Sequence, residues 1–209
     1  MASRVEFFFD LSSPWTCLAF HNLPGVLDRT AATAVYRPIL VGGVFNAVNP
    51  AVYAAREQAD NRRMQHGWKV LKDWARLAGV PMNFPSQWHP AKSVQAMRFA
   101  AALEDDQAAL LRFARAAFAG YFDRQENLDD PDVLQATADA EGLDGAAIRA
   151  AAGTDAIKAR LRANTEEVVA RGGYGSPTIF VDGTDMYFGN DQLPLVEAAL
   201  KRQLSRTPS

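Results

Sequence analysis

The sequence predicts an α/β protein whose small sheet is interrupted by a large all-α insertion. Three observations support this: a βαβ pattern at the N-terminal end, helical periodicity from residue 45 to 172, and a ββα pattern at the C-terminal end. The 209 residues, 48% of them hydrophobic, suffice to bury a core. We therefore expect one domain from residues 1–44 and 173–209, and a helical insertion domain from residues 45–172.

The N-terminal pattern consists of a buried strand, a capped helix and a second strand. Residues 5–9 (VEFFF) and 34–39 (AVYRPI) are apolar runs of strand length. Between them, Ser13 followed by Pro14 is typical of a helix N-cap with proline at the first helical position, where its missing N–H is not needed. The predicted helix runs to about Arg29, and the two strands are expected to be parallel.

The middle of the chain carries helix starts and stops instead of strand signals. Gly79 with Pro81 is expected to end one helix, and Asp130 with Pro131 is expected to begin another. Thr154 is expected to open a further, longer helix. The insertion is therefore predicted to be entirely helical.

Strand character returns near the C-terminus. Residues 178–182 (TIFVD) and 186–188 (MYF) flank a turn glycine in a hairpin pattern. The glycine-rich segment 172–178 (GGYGSPT) leads Pro177 into a strand, which makes it a candidate for a cis peptide bond. A final helix is predicted from about residue 191 to 204.

Composition excludes several classes of function. The formal net charge is −2 and the basic residues are dispersed, so the chain lacks the electrostatic footprint of a nucleic-acid-binding protein. Neither a signal-peptide pattern nor an apolar run long enough to span a membrane is present. We expect a soluble cytoplasmic protein with no nucleic-acid or membrane partner.

Cys17 is the only cysteine, which excludes an internal disulfide, a CxxC redox cycle and a zinc site built on several thiolates. Its place inside the first predicted helix suits a small buried residue better than a reactive thiol. The histidines, His21, His66 and His89, lack metal-ligand spacing, so no metal is expected.

Ser13 is the first candidate for chemistry. A hydroxyl at the positive end of a helix, beside unpaired amides, can hold an anion such as a thiolate or a carboxylate. Taken alone, most serines before a proline at a helix start only cap the helix. The glycine-rich segment at residues 172–178 changes this balance, because a second unusual turn then occurs in the same chain as the Ser13 turn.

Five segments in this order resemble the 2-hydroxychromene-2-carboxylate isomerases and kappa-class glutathione transferases of the DsbA superfamily. They are residues 9–19 (FDLSSPWTCLA), 40–43 (LVGG), 74–81 (WARLAGVP), 174–178 (YGSPT) and 188–193 (FGNDQL). Together they span nearly the whole chain. The resemblance implies a thioredoxin-like fold with a large all-α insertion between strands two and three.

In that family a serine replaces the first cysteine of the redox motif, and the matching residue is Ser13, with Thr16 at the place of the second cysteine. The resemblance implies that Ser13 is catalytic and binds glutathione, holding and activating its sulfur. It also implies that the main chain of Ser176, before a cis Pro177, pairs with the peptide backbone of glutathione.

The same resemblance places the γ-glutamyl end of glutathione at the start of the final helix. The residues concerned are Phe188, Gly189, Asn190 and Asp191. An acidic side chain facing the α-ammonium and amides facing the α-carboxylate fit that zwitterion. Without the resemblance, Asn190 and Asp191 would be explained as simple helix caps.

The implied function is a glutathione-dependent cis–trans isomerase acting on 2-hydroxychromene-2-carboxylate or a similar aromatic-catabolism intermediate. A lysine that can meet the substrate carboxylate in such isomerases corresponds to Phe45, and a tyrosine corresponds to Trp88. The missing cation leaves the substrate open, while Phe45 and Trp88 suit a pocket for an aromatic ring. Either side chain would equally serve in a core.

Three alternatives remain open at this point. A kappa-like glutathione S-transferase that conjugates electrophiles would use the same glutathione site. Thiol–disulfide exchange through Cys17 lacks a resolving partner. A thioredoxin-fold binding module without catalysis is the third, since a fold does not determine a function. Relatives of this kind tend to be dimers, so a homodimer is also an expectation.

Overall fold

The computed structural model describes residues 3–51 and 62–204. Within these residues, nine α-helices and one four-stranded sheet confirm the predicted α/β class. In chain order the elements are β1 (Arg4–Phe9), α1 (Pro14–Thr30), β2 (Thr33–Pro38), α2 (Val41–Val48), α3 (Arg62–Ala78), α4 (Val94–Ala102), α5 (Gln107–Phe122), α6 (Pro131–Ala140), α7 (Gly145–Ala152), α8 (Asp155–Ala170), β3 (Thr178–Val181), β4 (Asp185–Phe188), a 3-10 turn (Asn190–Gln192) and α9 (Leu193–Leu204). None of the helices formed by the described residues is long and apolar enough to cross a membrane.

The strands lie in the order β2-β1-β3-β4. β1 runs parallel to β2, with Phe7 opposite Tyr36, and antiparallel to β3, with Phe8 opposite Thr178. Phe7 belongs to the large core on one face of the sheet, whereas Phe8 packs on Phe180 on the other, with ring centroids 5.8 Å apart. β1 is thus an interior strand buried on both faces, which explains its continuous apolar run. The predicted parallel pair is confirmed.

Helix α1 begins where the sequence predicts, with Ser13 as N-cap and Pro14 at the first position. Its inner face packs on both the sheet and the insertion: the Phe20 ring centroid lies 6.3 Å from that of Phe7 and 5.2 Å from that of Phe118 on α5. All three rings are buried. This packing fixes the orientation of α1 and therefore the position of the Ser13 hydroxyl at its start.

The described part of the chain between β2 and β3 contains helices and loops and no strand. The predicted helix limits are confirmed: α3 ends before Gly79, whose φ is +67°, Asp130 caps α6, and Thr154 caps α8. The predicted boundary after residue 44 falls inside α2, which begins at Val41. The two-domain partition itself stays a prediction.

A cluster of ion pairs fastens the insertion to the sheet. Arg37 of β2 donates to Glu104 at 2.8 Å and to Glu167 of α8 at 2.9 Å. Arg171 reaches Glu6 of β1 at 2.6 Å and Glu167 at 2.7 Å. Burial raises the pKa of Glu104, and Arg37 opposes that rise. These shared partners make the attachment a network, which holds geometry better than isolated surface pairs do.

Candidate active site

Ser13 lies half-buried at the N-terminus of α1. Its Oγ accepts a hydrogen bond from the Thr16 amide at 3.2 Å, which is the N-cap interaction that the sequence predicts. The first turn of α1 contains no acidic residue, so no side chain within that turn neutralises the positive end of the helix dipole. The hydroxyl therefore sits in a position that favours a negatively charged ligand atom.

Ser176 joins this turn through three hydrogen bonds. The Ser13 hydroxyl donates to the Ser176 carbonyl oxygen at 3.0 Å. The Ser176 Oγ accepts from the Asp10 amide at 2.8 Å and shares a hydrogen with the Thr16 hydroxyl, also at 2.8 Å. The peptide bond between Ser176 and Pro177 is cis. The predicted pairing of the two distant segments is therefore present, and it involves side chains as well as the main chain.

Asp10 is a buried carboxylate beneath the turn, with no exposed surface. Its Oδ1 accepts from the Ser12 amide at 2.9 Å and the Ser12 hydroxyl at 2.8 Å. Its Oδ2 accepts from the Val41 amide at the start of α2 at 2.8 Å and from the Ser93 hydroxyl at 3.0 Å. Burial raises the pKa of Asp10, and these four hydrogen bonds oppose the rise. Asp10 thus connects the Ser13 turn to two helices.

The connection from Asp10 continues into the insertion through Ser93. Ser93 adopts a left-handed backbone with φ +56°, which is uncommon for a residue with a side chain. Its amide donates to Asp129 at 3.0 Å, and Asp129 also accepts from the Lys92 amide at 3.0 Å. The strained conformation directs the Ser93 hydroxyl at Asp10 while its amide binds Asp129. The loop before α6 is thereby connected to the Ser13 turn.

A cavity of about 380 Å³ opens beside Ser13. We call it the Ser13 cavity. Its walls are mainly aromatic and come from β1–α1, α2, α3, the loop before α4 and β4. These side chains are Trp15, Phe45, Trp68, Phe84 and Phe188. Ser13 and Ser176 form its polar end, and Arg63 is a cation in its lining. The cavity suits a flat apolar group held near one polar edge.

Of the two residues predicted to form the substrate pocket, Phe45 lines the Ser13 cavity and Trp88 does not. Phe45 lines it, half-buried, and Phe188 lies across it on the side of β4. Trp88 is 44% exposed and does not line the Ser13 cavity as the described residues define it. Its indole nitrogen donates to the Gln125 carbonyl at 2.9 Å, which turns the ring toward the loop after α5.

The predicted γ-glutamyl residues are also separated. Asn190 is 2% exposed, and its Oδ1 accepts from Asn22 of α1 at 2.8 Å. It faces a different cavity, between α1 and α9. Gly189 is buried with φ +91°, and Asp191 is exposed at the start of the 3-10 turn. Of this group only Phe188 lines the Ser13 cavity, and the γ-glutamyl assignment stays a prediction.

Cys17 is buried, 6% exposed, and it does not line the Ser13 cavity. Burial raises the pKa of its thiol to about 12, so the sulfur is protonated at neutral pH. The expectation that Cys17 is buried is confirmed. Among residues 3–51 and 62–204, no three His, Cys, Asp or Glu side chains cluster as a metal site.

Several residues of the site were not predicted from the sequence. Asp10 carried a signal, because an Asp two residues before a serine often forms the turn seen here. Its contacts to Val41 and Ser93 are long-range and leave no local pattern. Trp68 and Arg63 lie on a helix of the insertion, and only the tertiary arrangement turns them toward Ser13.

Comparison with known proteins supports the resemblance over nearly the whole chain. The model of the DSBA-like thioredoxin domain family matches residues 4–201. The 2-hydroxychromene-2-carboxylate isomerase of Sphingobium xenophagum is 28% identical over 204 residues, covering 96% of this chain and 99% of that protein. Glutathione S-transferase kappa 1 of Rattus norvegicus is 28% identical over 210 residues, covering 93% of this chain and 90% of that protein.

The fold comparison points the same way. A solved structure of a 2-hydroxychromene-2-carboxylate isomerase superposes with a TM-score of 0.80 at 25% sequence identity, covering 96% of each chain. The predicted thioredoxin-like fold and the resemblance drawn from the five segments are therefore confirmed.

Proposed function

Since this chain belongs to the DSBA-like thioredoxin domain family, we propose that it is a glutathione-dependent cis–trans isomerase acting on 2-hydroxychromene-2-carboxylate or a similar aromatic-catabolism intermediate. One observation carries the proposal: a serine hydroxyl at the N-terminus of α1, 3.0 Å from the carbonyl before a cis proline, opens into an aromatic cavity. Similar proteins named as such isomerases support the reaction class.

The residues around Ser13 fit the sulfur end of glutathione. A thiolate needs hydrogen-bond donors and a positive potential, and the Ser13 hydroxyl at the start of α1 offers both. When bound, glutathione would supply a thiolate nucleophile that adds to the conjugated substrate and is eliminated after bond rotation.

Ser13 has a single hydroxyl proton, and in this structure that proton is directed to the Ser176 carbonyl. To stabilise a thiolate, the hydroxyl must rotate from that carbonyl toward the sulfur, while Oγ continues to accept from the Thr16 amide. Lowering the thiol pKa by one to two units corresponds to about 1.4 kcal/mol for each unit. One charge-assisted hydrogen bond is of that size.

The rotation of Ser13 leaves the Ser176 carbonyl free to accept a peptide N–H from an extended ligand. Ser176 lies two residues before β3, so such a ligand would pair in extended conformation with the segment that leads into this strand. The two hydrogen bonds of the Ser176 Oγ, with the Asp10 amide and the Thr16 hydroxyl, do not involve the carbonyl and can persist. The carbonyl is thereby held in place for this exchange.

The aromatic walls supply the rest of the site. Phe45, Trp68 and Phe188 offer flat apolar surface close to Ser13, where a conjugated ring can lie within reach of the sulfur. Arg63 in the lining provides positive charge near an anionic substrate, at a site other than the missing lysine.

The environment of the other motif residues favours addition and elimination over disulfide chemistry. Thr16 stands at the second cysteine's place and is fully buried, hydrogen-bonded to Ser176. Cys17 is buried and protonated outside the cavity. Disulfide exchange needs an attacking thiolate and a resolving thiol, and neither is available from this chain.

A kappa-like transferase is the second candidate, because similar proteins include glutathione S-transferase kappa 1. It would use the same Ser13 hydroxyl and differ only in the fate of the adduct. A transferase consumes glutathione and releases a stable conjugate, whereas an isomerase returns the thiol after each turnover.

The test is to incubate the purified protein with glutathione and 2-hydroxychromene-2-carboxylate and to follow both the open-chain product and the free thiol. The proposal expects product formation at constant thiol and a fall of at least about a hundredfold in kcat/KM for Ser13→Ala. Thr154→Ala is the matched control, since it removes an N-cap that does not line the Ser13 cavity. Stoichiometric thiol loss would favour the transferase, and unchanged kcat/KM in Ser13→Ala would contradict the role of the hydroxyl.

A further inference from the structure

A second cavity lies on α1, farther along the helix than the Ser13 cavity. Its volume is about 470 Å³, and it is enclosed by α1, the turn after α3, and α5. We call it the α1–α5 cavity. It shares no lining residue with the Ser13 cavity in the described part of the chain. Its size falls within the range of about 300–1,000 Å³ typical of small-molecule sites.

The floor of the α1–α5 cavity is apolar. It is formed by the side chains of Cys17, Phe20, Pro24, Val80 and Phe118. Aromatic rings at the floor offer edges and faces to a flat ligand. An apolar, concave floor favours a ligand with a hydrophobic body over a phosphate or a sugar.

Two unpaired charges of opposite sign lie at its rim. Arg115 and Asp123 both line the cavity, and both are exposed. Among the described residues, neither side chain has an ion-pair partner within 4.0 Å, whereas the neighbouring Arg124 is paired with Glu126. The guanidinium and the carboxylate therefore keep their full capacity for hydrogen bonds to a ligand.

The positions of these charges along α5 and its C-cap limit the shape of the ligand. Arg115 and Ala119 lie four residues apart on α5, and Asp123, the C-cap residue, follows after four more, so the three lie along one side of the helix. Arg115 and Asp123 are eight positions apart, which corresponds to about 12 Å along the axis of a helix. Ala119 lies between them, and its small side chain leaves space in the cavity for a ligand. The opposed charges and the apolar floor together match an elongated molecule with a carboxylate at one end and a hydroxyl donor at the other.

We propose that the α1–α5 cavity is a second small-molecule site that binds a hydroxyaryl carboxylate. The Arg115 guanidinium would hold the carboxylate, the apolar floor would hold the ring, and Asp123 would accept from the hydroxyl. This inference does not depend on the proposed isomerase activity, because no group of the Ser13 cavity takes part in it.

Cys17 provides a built-in reporter for this site. It is the only cysteine of the chain, it lines the α1–α5 cavity, and it is absent from the Ser13 cavity. Burial raises the pKa of its thiol, which is therefore protonated at neutral pH, and the residue is only 6% exposed. Alkylation will therefore be slow and limited by access through the cavity. A ligand seated on the floor must slow it further.

The experiment uses 4-hydroxycinnamate and cinnamate as probes on the full chain. Alkylation of Cys17 by N-ethylmaleimide is followed by intact mass, and the Kd by calorimetry. The site predicts that saturating 4-hydroxycinnamate slows alkylation at least about fivefold. Arg115→Gln should weaken the Kd about tenfold or more, as expected for the loss of a charge-assisted hydrogen bond. Asp123→Ala should abolish the preference for 4-hydroxycinnamate over cinnamate.

The matched control is Arg112→Gln. Arg112 lies one turn before Arg115 on α5, is also exposed and unpaired among the described residues, and lines only the neighbouring groove toward α6. Its substitution should leave the Kd within about twofold. S-methylglutathione serves as a second control, because a ligand of the Ser13 cavity should neither protect Cys17 nor compete with 4-hydroxycinnamate.

Several results would overturn the proposal. They are absence of binding at millimolar probe, equal loss of affinity in Arg112→Gln and Arg115→Gln, competition by S-methylglutathione, or binding that leaves the alkylation rate of Cys17 unchanged. None of these results bears on the isomerase assay, so failure of the second site and failure of the proposed function are distinguishable.

Discussion

The Ser13 hydroxyl donates to the carbonyl oxygen of Ser176 across 3.0 Å, although 163 residues separate the two in the chain. The bond occupies the one proton that the proposed chemistry requires. A ligand thiolate must therefore compete with a carbonyl for the Ser13 hydroxyl, and the carbonyl must in turn receive a new donor. Without a ligand, the hydroxyl and the carbonyl satisfy each other's hydrogen-bonding capacity. A ligand with both an anionic sulfur and a peptide N–H can replace this bond with one bond to each group.

The carboxylate of Asp10 accepts hydrogen bonds from the turn that contains Ser13. Replacing Asp10 tests how much the stability of this turn depends on that carboxylate. Asp10→Asn retains one acceptor but places an amide N–H₂ against donors, such as the Val41 amide or the Ser93 hydroxyl. We expect a loss of roughly 1–3 kcal/mol in the free energy of unfolding near pH 4, measured by urea titration.

The pH dependence of that difference has a definite sign. Burial raises the folded-state pKa of Asp10 above its ordinary value of 3.8, so between the two values the folded state binds more protons than the unfolded state. The contribution of Asp10 to stability therefore falls as pH rises from 3.8 through the folded pKa. The wild type should lose stability relative to Asp10→Asn over that window. A widening gap in favour of the wild type would contradict the raised pKa.

Glu197 should behave in the opposite way. Arg29 and then Lys201 hold the pKa of this carboxyl at about 2, below its ordinary value of 4.5. Its stabilising contribution is thus complete above pH 4.5 and lost as pH falls toward about 2. Thermal unfolding of Glu197→Gln and of the wild type should differ at pH 6 and converge at pH 2. A difference in Tm that persists unchanged at pH 2 would refute the assignment.

Gly175 leaves room for the Phe188 ring in the wall of the Ser13 cavity. A Cβ added to Gly175 would lie 2.7 Å from that ring, so the ring must shift from its present position. If the proposed function is correct, Gly175→Ala should lower kcat/KM roughly tenfold, because Phe188 lines the cavity wall.

Gly67 is the matched control for that substitution. It lies on α3, and a Cβ there would meet nothing within 4 Å. Gly67→Ala should leave kcat/KM unchanged and raise the free energy of unfolding by roughly 0.5–1 kcal/mol, since alanine restricts the unfolded chain and favours the helix. Equal kinetic losses in the two variants would remove the specific role of Phe188.

The sequence predicted the parts of this site that depend on local chemistry. Ser13 before Pro14 marks a helix cap, and that cap is where the structure places the hydroxyl. The family resemblance implied that Ser13 and Ser176 belong to one site, and in the structure the pairing of β1 with β3 brings their segments side by side. These features are set by neighbours in the chain or by the sheet topology.

The remaining features depend on how the insertion packs, and a local pattern does not carry that information. Trp88 was expected in the pocket, yet a hydrogen bond to Gln125 turns its ring away. The expected contact of Asn190 with glutathione stays a prediction, and in the structure the side chain of Asn190 accepts a hydrogen bond from Asn22. Trp68 lines the Ser13 cavity because of how α3 packs in the folded chain, which periodicity does not determine.

The central claim is that the Ser13 hydroxyl stabilises the thiolate of bound glutathione. It is tested most directly by titrating the thiolate absorbance of glutathione bound to the wild type and to Ser13→Ala. The account predicts a thiol pKa about one to two units below the free value of roughly 8.5 in the wild type, and a return to within about half a unit of that value in Ser13→Ala. An identical pKa in the two proteins would contradict it.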